Sequence, residues 1–363
     1  MLWSGDLAVE LSTVLNISCY RNYELPALAL QWKASVNAVE RDEVALLNEG
    51  QRVATPAEFP NVLYLAGMPR TGSTLLGQAL GRIPGVIFVG ELSLFWRRFG
   101  NGELCSCGQS LPSCPFWSAV ISDGFGELKP EDARKLGRME RVLRWIQIMS
   151  SLLPMRRKIT RLGKFRVMAD ARTQLYSSTA NVAKVKWIVD SGKDPWFGRL
   201  LGNFFEDNLR TVHIVRDPRG VAFSWTKKVR CDSEPRYMKR RHPAITACNW
   251  LVQNLVIQVT LQRLRSSYVR VQYEDLATNP GVVISKIAGS MGIGADRLLT
   301  AETYEGGRND LHWVAGNPGV RQSAGTHLQI KLDEEWRYRL HPVQRWLVTA
   351  ICGALLWFYG YPL

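Results

Sequence analysis

Short apolar runs recur along this chain and end at glycine, proline or charged residues, while longer segments with helical spacing separate them. Buried strands are predicted at residues 62–65, 85–89, 185–190, 211–215 and 268–273. Helical segments lie between these runs, for example over residues 245–265. Strands that alternate with helices predict an α/β fold, in which a mostly parallel sheet is covered by helices on both faces.

The length and composition of the chain are sufficient for a large core. With 363 residues, of which 46% are hydrophobic, it can form one extended α/β domain. We predict a mainly helical segment over residues 1–60 and the α/β domain over residues 61–363. Residues 92–165 are rich in Arg and Trp, and we predict that they form an inserted cap of helices and loops over the functional site.

A glycine-bracketed turn follows the first predicted strand. Gly67 and Gly72 have the spacing of the P-loop pattern GxxxxGK, but Ser73 stands where that pattern has lysine. Backbone N–H groups of such a loop, together with the N-terminus of the next helix, bind an anion. The missing lysine argues against transfer of a γ-phosphate. The predicted anion-binding residues are Arg70, Thr71, Gly72, Ser73 and Thr74.

A second strand–turn–helix pattern follows at residues 211–225, where Arg216 ends the strand and Ser224 lies eight residues later in the helix. Together with the glycine-bracketed loop, this pattern resembles the sulfotransferases that use 3′-phosphoadenosine 5′-phosphosulfate (PAPS), with similarity to the protein-tyrosine and carbohydrate members and to bacterial-type enzymes. The resemblance implies a P-loop-type sheet whose first loop binds the 5′-phosphosulfate. It also implies that Arg216 and Ser224 bind the 3′-phosphate, and that the product is 3′-phosphoadenosine 5′-phosphate (PAP).

The same resemblance implies the catalytic residues. Glu91 follows the second predicted strand, where the related enzymes have a catalytic glutamate, and Lys193 lies in a KDP segment whose lysine contacts the sulfate and the leaving phosphate. Glu91 would remove the proton of an acceptor hydroxyl during direct in-line transfer, without a metal. A glutamate that only caps a helix is the alternative, and Asp190 is either another base or an orienting carboxylate.

Residues nearer the C-terminus add to the resemblance to the sulfotransferases. Tyr273 matches a family position near the adenine, and Arg321 follows a GNP segment whose late arginine closes over the 3′-phosphate, although the spacing here departs from the family pattern. His312 is a base, a nucleotide contact or a donor that fixes its loop, and we favour the last role. His213 lies within a strand and is predicted to belong to the core. Glu274 and Asp275 are predicted to cap the following helix.

The net charge of +14 and the pI near 9.6 favour anionic partners. Zinc-finger, RNP and zipper patterns do not occur, which argues against a nucleic-acid partner. The acceptor is predicted to carry a hydroxyl; a glycan, a glycolipid and a small metabolite all stay open, as do acidic and membrane-associated acceptors. The basic residues between 227 and 241 either shape the acceptor site or form a solvated face.

The N-terminus has Asp6 and Glu10 and no basic stretch ahead of a long apolar core, so it does not resemble a signal peptide. We found no run of about 18 apolar residues, and the apolar residues 346–359 are predicted to form a core or interfacial helix. These features predict a cytoplasmic enzyme, and a peripheral association with a membrane stays open.

Three cysteines crowd together at Cys105, Cys107 and Cys114. Their spacing is not the usual pair of CxxC motifs, so zinc with a fourth ligand from elsewhere, a disulfide and free thiols all stay open. Two functions from other classes also remain: a P-loop small-molecule kinase that depends on Mg²⁺, and a nucleotide-binding protein without catalytic activity.

Overall fold

A five-stranded sheet organises the part of the chain that the computed structural model describes, namely residues 59–152, 163–229, 237, 239–262, 268–294, 312–316 and 331–363. The strands run in the order β2-β3-β1-β4-β5, and each neighbouring pair is parallel. Their bounds are β1 (Asn61–Ala66), β2 (Val86–Gly90), β3 (Trp187–Lys193), β4 (Leu209–Val215) and β5 (Tyr268–Gln272). The predicted parallel α/β sheet is confirmed. Arg321 and almost all of the predicted helical segment 1–60 lie outside the described residues.

Helices connect these strands and cover both faces of the sheet. Before β4 they are α1 (Ser73–Leu80), α2 (Phe95–Gly100), α3 (Pro115–Phe125), α4 (Pro130–Leu152), α5 (Gly163–Ala183) and α6 (Pro195–Phe205). After β4 they are α7 (Pro218–Thr226), α8 (Pro243–Leu261), α9 (Tyr273–Thr278), α10 (Pro280–Ser290), α11 (Trp336–Arg339) and α12 (Pro342–Phe358).

The alternation of side chains along β1 divides the core into two layers. Val62 and Tyr64 belong to a cluster that includes the helices between β2 and β3, whereas Leu63 and Leu65 belong to a cluster on the other face. All four side chains are fully buried. A strand that is buried on both faces is typical of a parallel sheet covered on both sides, so the continuous apolar run has a direct structural reason.

Between β2 and β3 the described residues form helices α2 to α5, in the region where we predicted an inserted cap. A buried ion pair joins two of these helices: Arg172 of α5 donates from Nε to Oε1 of Glu140 in α4 at 2.8 Å. Arg144, also in α4, pairs with Asp194 directly after β3 at 3.1 Å. The inserted helices are therefore tied to the carboxyl edge of the sheet.

One described helix, α8, is long and apolar enough by length and composition to cross a membrane, a feature that our search for purely apolar runs missed. In the structure α8 packs against α6, α7, α12 and β4. Its Asn249, Gln253 and Asn254 side chains are buried. Buried polar side chains are typical of a helix that lies in the core and forms hydrogen bonds with neighbouring segments.

The predicted strand ends differ at β3. The strand continues through Ser191 and Gly192 to Lys193, because β1 and β3 stay paired across a register shift that places Ala66 opposite Lys193. Lys193 is thus the last residue of the strand rather than part of the following loop. Its φ of 63° marks the point where the backbone leaves the sheet.

Candidate active site

Each of the five parallel strands is followed at its carboxyl end by a candidate residue or loop. Across the sheet the order is Glu91 after β2, Lys193 at the end of β3, residues 67–72 after β1, Arg216 after β4 and Tyr273 after β5. Neighbouring strands lie about 4.8 Å apart, so the row extends over about 19 Å. Carboxyl ends of parallel strands are the usual place for ligands in such sheets.

The glycine-bracketed loop lies close to its neighbours. A Cβ atom at Gly67 would lie 2.6 Å from the carbonyl oxygen of Ile214, and one at Gly72 would lie 2.7 Å from the ring of Tyr273. Gly72 also has φ 86°, in the left-handed region that favours glycine. The backbone N–H of Gly67 donates to the carbonyl of Lys193 at 3.3 Å. The loop therefore contacts the strand ends on both sides.

The polar residues of the loop are mostly buried. Thr71 donates its hydroxyl to the carbonyl of Met68 at 2.8 Å, and Ser73 and Thr74 occupy the first turn of α1. The guanidinium of Arg70 lies 5.6 Å from the centre of the Trp225 ring, and burial lowers the pKa of Arg70. Arginine stays charged in proteins, so this loop combines a helix N-terminus with a permanent cation.

Arg216 is nearly buried and makes several contacts with neighbouring loops. It donates to the carbonyl oxygens of Arg70 and Asp333, each at 3.1 Å, and forms an ion pair with the Asp333 carboxylate at 3.2 Å. Its guanidinium lies 4.3 Å from the centre of the Tyr273 ring. Ser224 is half-buried in α7, the helix that begins at Pro218. The structure thus brings Arg216 and Tyr273 to the same loop.

Tyr273 contacts both sides of this region. Its ring lies against Gly72, and its hydroxyl donates to the carbonyl of Lys331 at 3.0 Å. The hydroxyl also accepts from the N–H of Asp333 at 3.3 Å, and burial raises the pKa of Tyr273. The Asp333 segment, which sequence reasoning missed, is therefore part of this end of the site.

Glu91 and Lys193 form an ion pair whose side chains are only 17% and 12% exposed. Glu91 stands at the N-cap position of a short 3₁₀ turn, Leu92–Leu94, but its side chain makes no capping hydrogen bond. Its backbone N–H donates to the carbonyl of Val314 at 2.7 Å. The helix-cap alternative is therefore wrong for the side chain, which points to Lys193 instead.

Asp190, in β3, holds the turn that follows Glu91 by a hydrogen bond to its backbone. It is fully buried, accepts from the N–H of Leu92 at 3.3 Å and accepts from the hydroxyl of Tyr176. Burial raises the pKa of Asp190 to about 7, although these hydrogen bonds oppose the shift. Arg172 donates to the carbonyl of Leu92 at 2.9 Å. Asp190 has the geometry of the orienting carboxylate rather than of an accessible base.

His213 and Glu274 differ in how well they match their predicted roles. His213 is fully buried between the Tyr268 hydroxyl at 2.6 Å and Asn254 at 2.8 Å, and burial lowers its pKa to about 4, so the predicted core histidine is confirmed. The cap predicted for Glu274 and Asp275 is wrong, because α9 has Gln272 at its N-cap position and both acids lie within its first turn. The Glu274 carboxylate accepts from the N–H of Asp217 at 3.1 Å and from the Tyr361 hydroxyl at 2.7 Å, and so joins the β4 turn to the C-terminal segment.

Helix α8 supplies two supporting residues that sequence reasoning missed. Gln253 donates to the carbonyl of Gly67 at 3.0 Å, and Trp250 donates to the carbonyl of Arg216 at 3.0 Å. The available signal was a set of polar residues, Asn249, Gln253 and Asn254, with helical spacing inside an otherwise apolar segment. Such spacing places polar groups on one side of a helix.

Comparison with known proteins gives a family match. A family model described as Sulfotransferase family matches residues 62–297. Mouse (Mus musculus) carbohydrate sulfotransferase 5 is 27% identical over 171 residues, which are 42% of this chain and 42% of the relative. Human (Homo sapiens) carbohydrate sulfotransferase 1 is 31% identical over 145 residues, which are 37% of this chain and 34% of the relative. The matches span less than half the length of these relatives.

Solved sulfotransferase structures are also similar to this chain, at lower sequence identity than the two relatives above. The sulfotransferase domain from the curacin biosynthetic pathway has a TM-score of 0.47 at 16% identity, covering 84% of this chain and 98% of that domain. The sulfotransferase domain of the Synechococcus PCC 7002 olefin synthase has a TM-score of 0.45 at 20% identity, covering 84% of this chain and 96% of that domain.

Proposed function

This chain belongs to the sulfotransferase family, and from that premise we propose that it transfers a sulfuryl group from PAPS to a hydroxyl of an acceptor. The observation that carries the proposal is the arrangement along the sheet edge. The Glu91–Lys193 pair lies on one side of the glycine-bracketed loop, and Arg216 lies on the other. The family match over residues 62–297 includes all of these residues.

The donor fits the described residues at two points. The loop backbone packs so closely against Ile214 and Tyr273 that only glycine fits at positions 67 and 72, and its N–H groups beside the N-terminus of α1 suit the 5′-phosphosulfate. One strand further along the edge, about 5 Å away by strand spacing, the Arg216 guanidinium already pairs with the Asp333 carboxylate, so this position suits an anion. The 3′-phosphate of the donor would take that place beside Tyr273 and Ser224, and Arg321 stays a predicted contact.

The Glu91–Lys193 pair suggests how the chemistry is divided. PAPS supplies an activated sulfuryl group. Glu91 accepts the proton of the acceptor hydroxyl while that oxygen bonds to sulfur and the bond from sulfur to the 5′-phosphate oxygen breaks. Lys193 and Arg70 neutralise the charge that develops on the departing oxygen. The pair must therefore separate during turnover, with Glu91 turning to the acceptor and Lys193 to the phosphate.

We propose a carbohydrate hydroxyl as the acceptor group, because both curated relatives are named carbohydrate sulfotransferases. A small cavity lies between the segment that follows Glu91 and helix α4, and it is lined by Ser93, Leu94, Arg97, Gly137, Glu140, Arg141 and Arg144. Three arginines accompany one carboxylate, that of Glu140, in this lining, and the excess of positive charge favours an acceptor with negative charge. An acidic oligosaccharide is therefore preferred over a neutral one.

The first test is a thermal-shift titration with PAP and with ATP, each with and without Mg²⁺, because a ligand that binds the native state raises its apparent stability. Stabilisation by PAP without Mg²⁺ supports the donor site. A preference for ATP with Mg²⁺ would overturn it in favour of a kinase. Sulfate transfer from labelled PAPS to acidic and neutral oligosaccharides then tests catalysis, and binding without transfer to any of them would favour the non-catalytic protein.

A matched pair of glycine variants tests the loop itself. Gly72→Ala places a methyl group against Tyr273, whereas Gly85→Ala has a similar positive φ but nothing within 4 Å of the added Cβ. Both variants pay about 1 kcal/mol for the left-handed backbone. We expect only Gly72→Ala to weaken PAP binding by more than about tenfold at matched stability. Equal binding by the two variants would contradict this place for the donor.

A further inference from the structure

Four potential metal ligands converge at the start of the inserted cap. The ligand atoms of Cys105, Cys107, Cys114 and His312 all lie within 4.8 Å of one another. The Sγ atom of Cys114 lies 3.6 Å from that of Cys105 and 3.7 Å from that of Cys107, and it lies 3.2 Å from Nδ1 of His312. Cys105 and Cys114 are buried, and the other two residues are half-buried.

The spacing of these atoms agrees with a tetrahedral metal site. Zinc bonds to sulfur at about 2.3 Å and to imidazole nitrogen at about 2.0 Å, so a regular tetrahedron has S–S edges of about 3.8 Å and S–N edges of about 3.5 Å. The measured separations from Cys114 lie within about 0.4 Å of these edges. A disulfide needs sulfur atoms about 2.05 Å apart, and none of these cysteines is bonded in this way.

We propose that Cys105, Cys107, Cys114 and His312 bind one Zn²⁺ ion. The three thiols lose their protons as they bind, and Nδ1 of the neutral imidazole supplies the fourth ligand. Four protein ligands leave no open position for water or substrate, which is typical of a structural rather than a catalytic zinc site. The metal is thus separate from the proposed transfer reaction, which needs none.

Simple packing of cysteines explains the cluster less well. Buried thiols often behave as small apolar side chains, but such packing does not require a ring nitrogen beside three sulfurs. His312 comes from a segment 198 residues away from Cys114 in the chain. Its ring stacks on Phe116, with centroids 5.3 Å apart and planes 11° apart, which holds the nitrogen towards the thiols. Thiolate-rich tetrahedral sets with imidazole favour zinc among common metals.

The proposed zinc site connects the segment around Cys105 with residues 312–316, and both segments lie next to the end of β2 and the Glu91 turn. Ser106 donates its N–H to the carbonyl of Trp313 at 3.2 Å, and Trp313 donates its own N–H to the Ser106 hydroxyl oxygen at 2.8 Å. Val314 then pairs with Cys105 on one side and with Gly90 on the other. A metal beside these contacts would hold residues 312–316 against the end of β2.

The test is the metal content of the full-length protein, purified without a metal-affinity step and measured by inductively coupled plasma mass spectrometry. We expect about one zinc per chain. The double variant Cys107→Ser/Cys114→Ser should lose it, whereas Cys248→Ser, a half-buried cysteine in α8, should keep it. Less than about 0.2 zinc per chain in the wild type, or zinc retained by the double variant, would overturn the proposal.

A second measurement covers the case in which the double variant does not fold. X-ray absorption at the zinc edge of the wild-type protein should show three sulfur neighbours near 2.3 Å and one nitrogen near 2.0 Å. A shell of oxygen and nitrogen alone would identify adventitious surface zinc and overturn the site. Titration of the wild type with a mercurial should release zinc as three thiols react, and zinc that is released before any thiol reacts would overturn it as well.

Discussion

Replacement of Arg216 by Ala tests recognition of the 3′-phosphate most directly, because binding can be measured before any acceptor is known. The Arg216 side chain is 7% exposed and lies against Tyr273, so solvent screens its charge only weakly. We expect the variant to bind PAP much more weakly than the wild type does. Binding of adenosine 5′-phosphate, which lacks the 3′-phosphate, should hardly change.

The magnitude follows from the contacts of the guanidinium. A hydrogen bond to a charged group contributes about 1.5–3 kcal/mol, and arginine often makes two such bonds to one phosphate. Displacement of Asp333, whose side chain is 29% exposed, costs about 1 kcal/mol of this gain. A net loss of about 2–5 kcal/mol corresponds to about 30- to 4000-fold weaker binding of PAP.

Isothermal titration calorimetry of the two nucleotides provides the assay, with denaturation curves to confirm that the variant is folded. Arg210→Ala is the matched control, because Arg210 lies near the other end of the same strand and donates, among the described residues, to the nearby carbonyls of Asp207 and Leu209 at 2.6 Å and 3.0 Å. Arg216→Lys keeps the charge but loses the planar fork, so an intermediate loss is expected. Equal weakening of both nucleotides would refute the reasoning, since it would show that Arg216 acts by holding the Arg70 carbonyl.

Three further substitutions test the remaining parts of the site. Glu91→Gln should lower kcat for sulfate transfer by about 10²- to 10⁴-fold while calorimetry shows PAP binding within about twofold; a matched loss of binding would assign Glu91 a structural role. Asp333→Asn removes a carboxylate that competes for Arg216, so PAP should bind about fivefold more tightly, and unchanged or weaker binding would contradict that competition. Burial raises the pKa of Asp190 from 3.8 to about 7, so the folded protein holds a proton that the unfolded chain releases between these values, and the free energy of unfolding falls as pH rises through this window. In Asp190→Asn this fall should be smaller in urea denaturation between pH 5 and pH 8, and an equal slope in both proteins would show that Asp190 does not titrate there.

The sequence alone was sufficient for the parts of the site that depend on local pattern. An apolar strand followed by Gly67 and Gly72 is visible without any structure, as is the turn at Arg216. The carboxyl ends of parallel strands share one edge, so the candidates at Glu91 and Lys193 could also be expected near the loop. Their shared location needed only the strand positions and the direction of the strands, whereas their catalytic roles were implied by the resemblance to the sulfotransferases.

Direct contacts between distant segments could not be predicted in the same way. The Glu91–Lys193 pair joins residues 102 positions apart and requires β2 and β3 to be neighbours, which apolar spacing does not specify. The contact of Arg216 with Asp333 crosses 117 positions, and the acidic residue has no motif that marks it. Strand order and the path of the late segment depend on the whole core rather than on any local pattern.

Helix α8 holds the part of the site that contains Gly67 and Arg216. Trp250 and Gln253 donate to the carbonyls of Arg216 and Gly67, and both side chains are buried among the helices that cover the sheet. Buried hydrogen bonds of this kind are costly to break, because the carbonyl would lose its partner without gaining water. We therefore expect the two carbonyls, and with them the proposed donor site, to keep their positions for as long as the protein is folded.

The Glu91 side is supported differently, by segments that lie outside the sheet. Val314 accepts from the Glu91 N–H and donates to the carbonyl of Val89, and it belongs to the short stretch beside the proposed zinc ligand His312. Loosening that stretch would displace the proposed base without touching Arg216 or the glycine-bracketed loop. Since an error of about 1 Å in the position of a catalytic group can cost about 100-fold in rate, removal of the metal should reduce turnover far more than it reduces PAP binding.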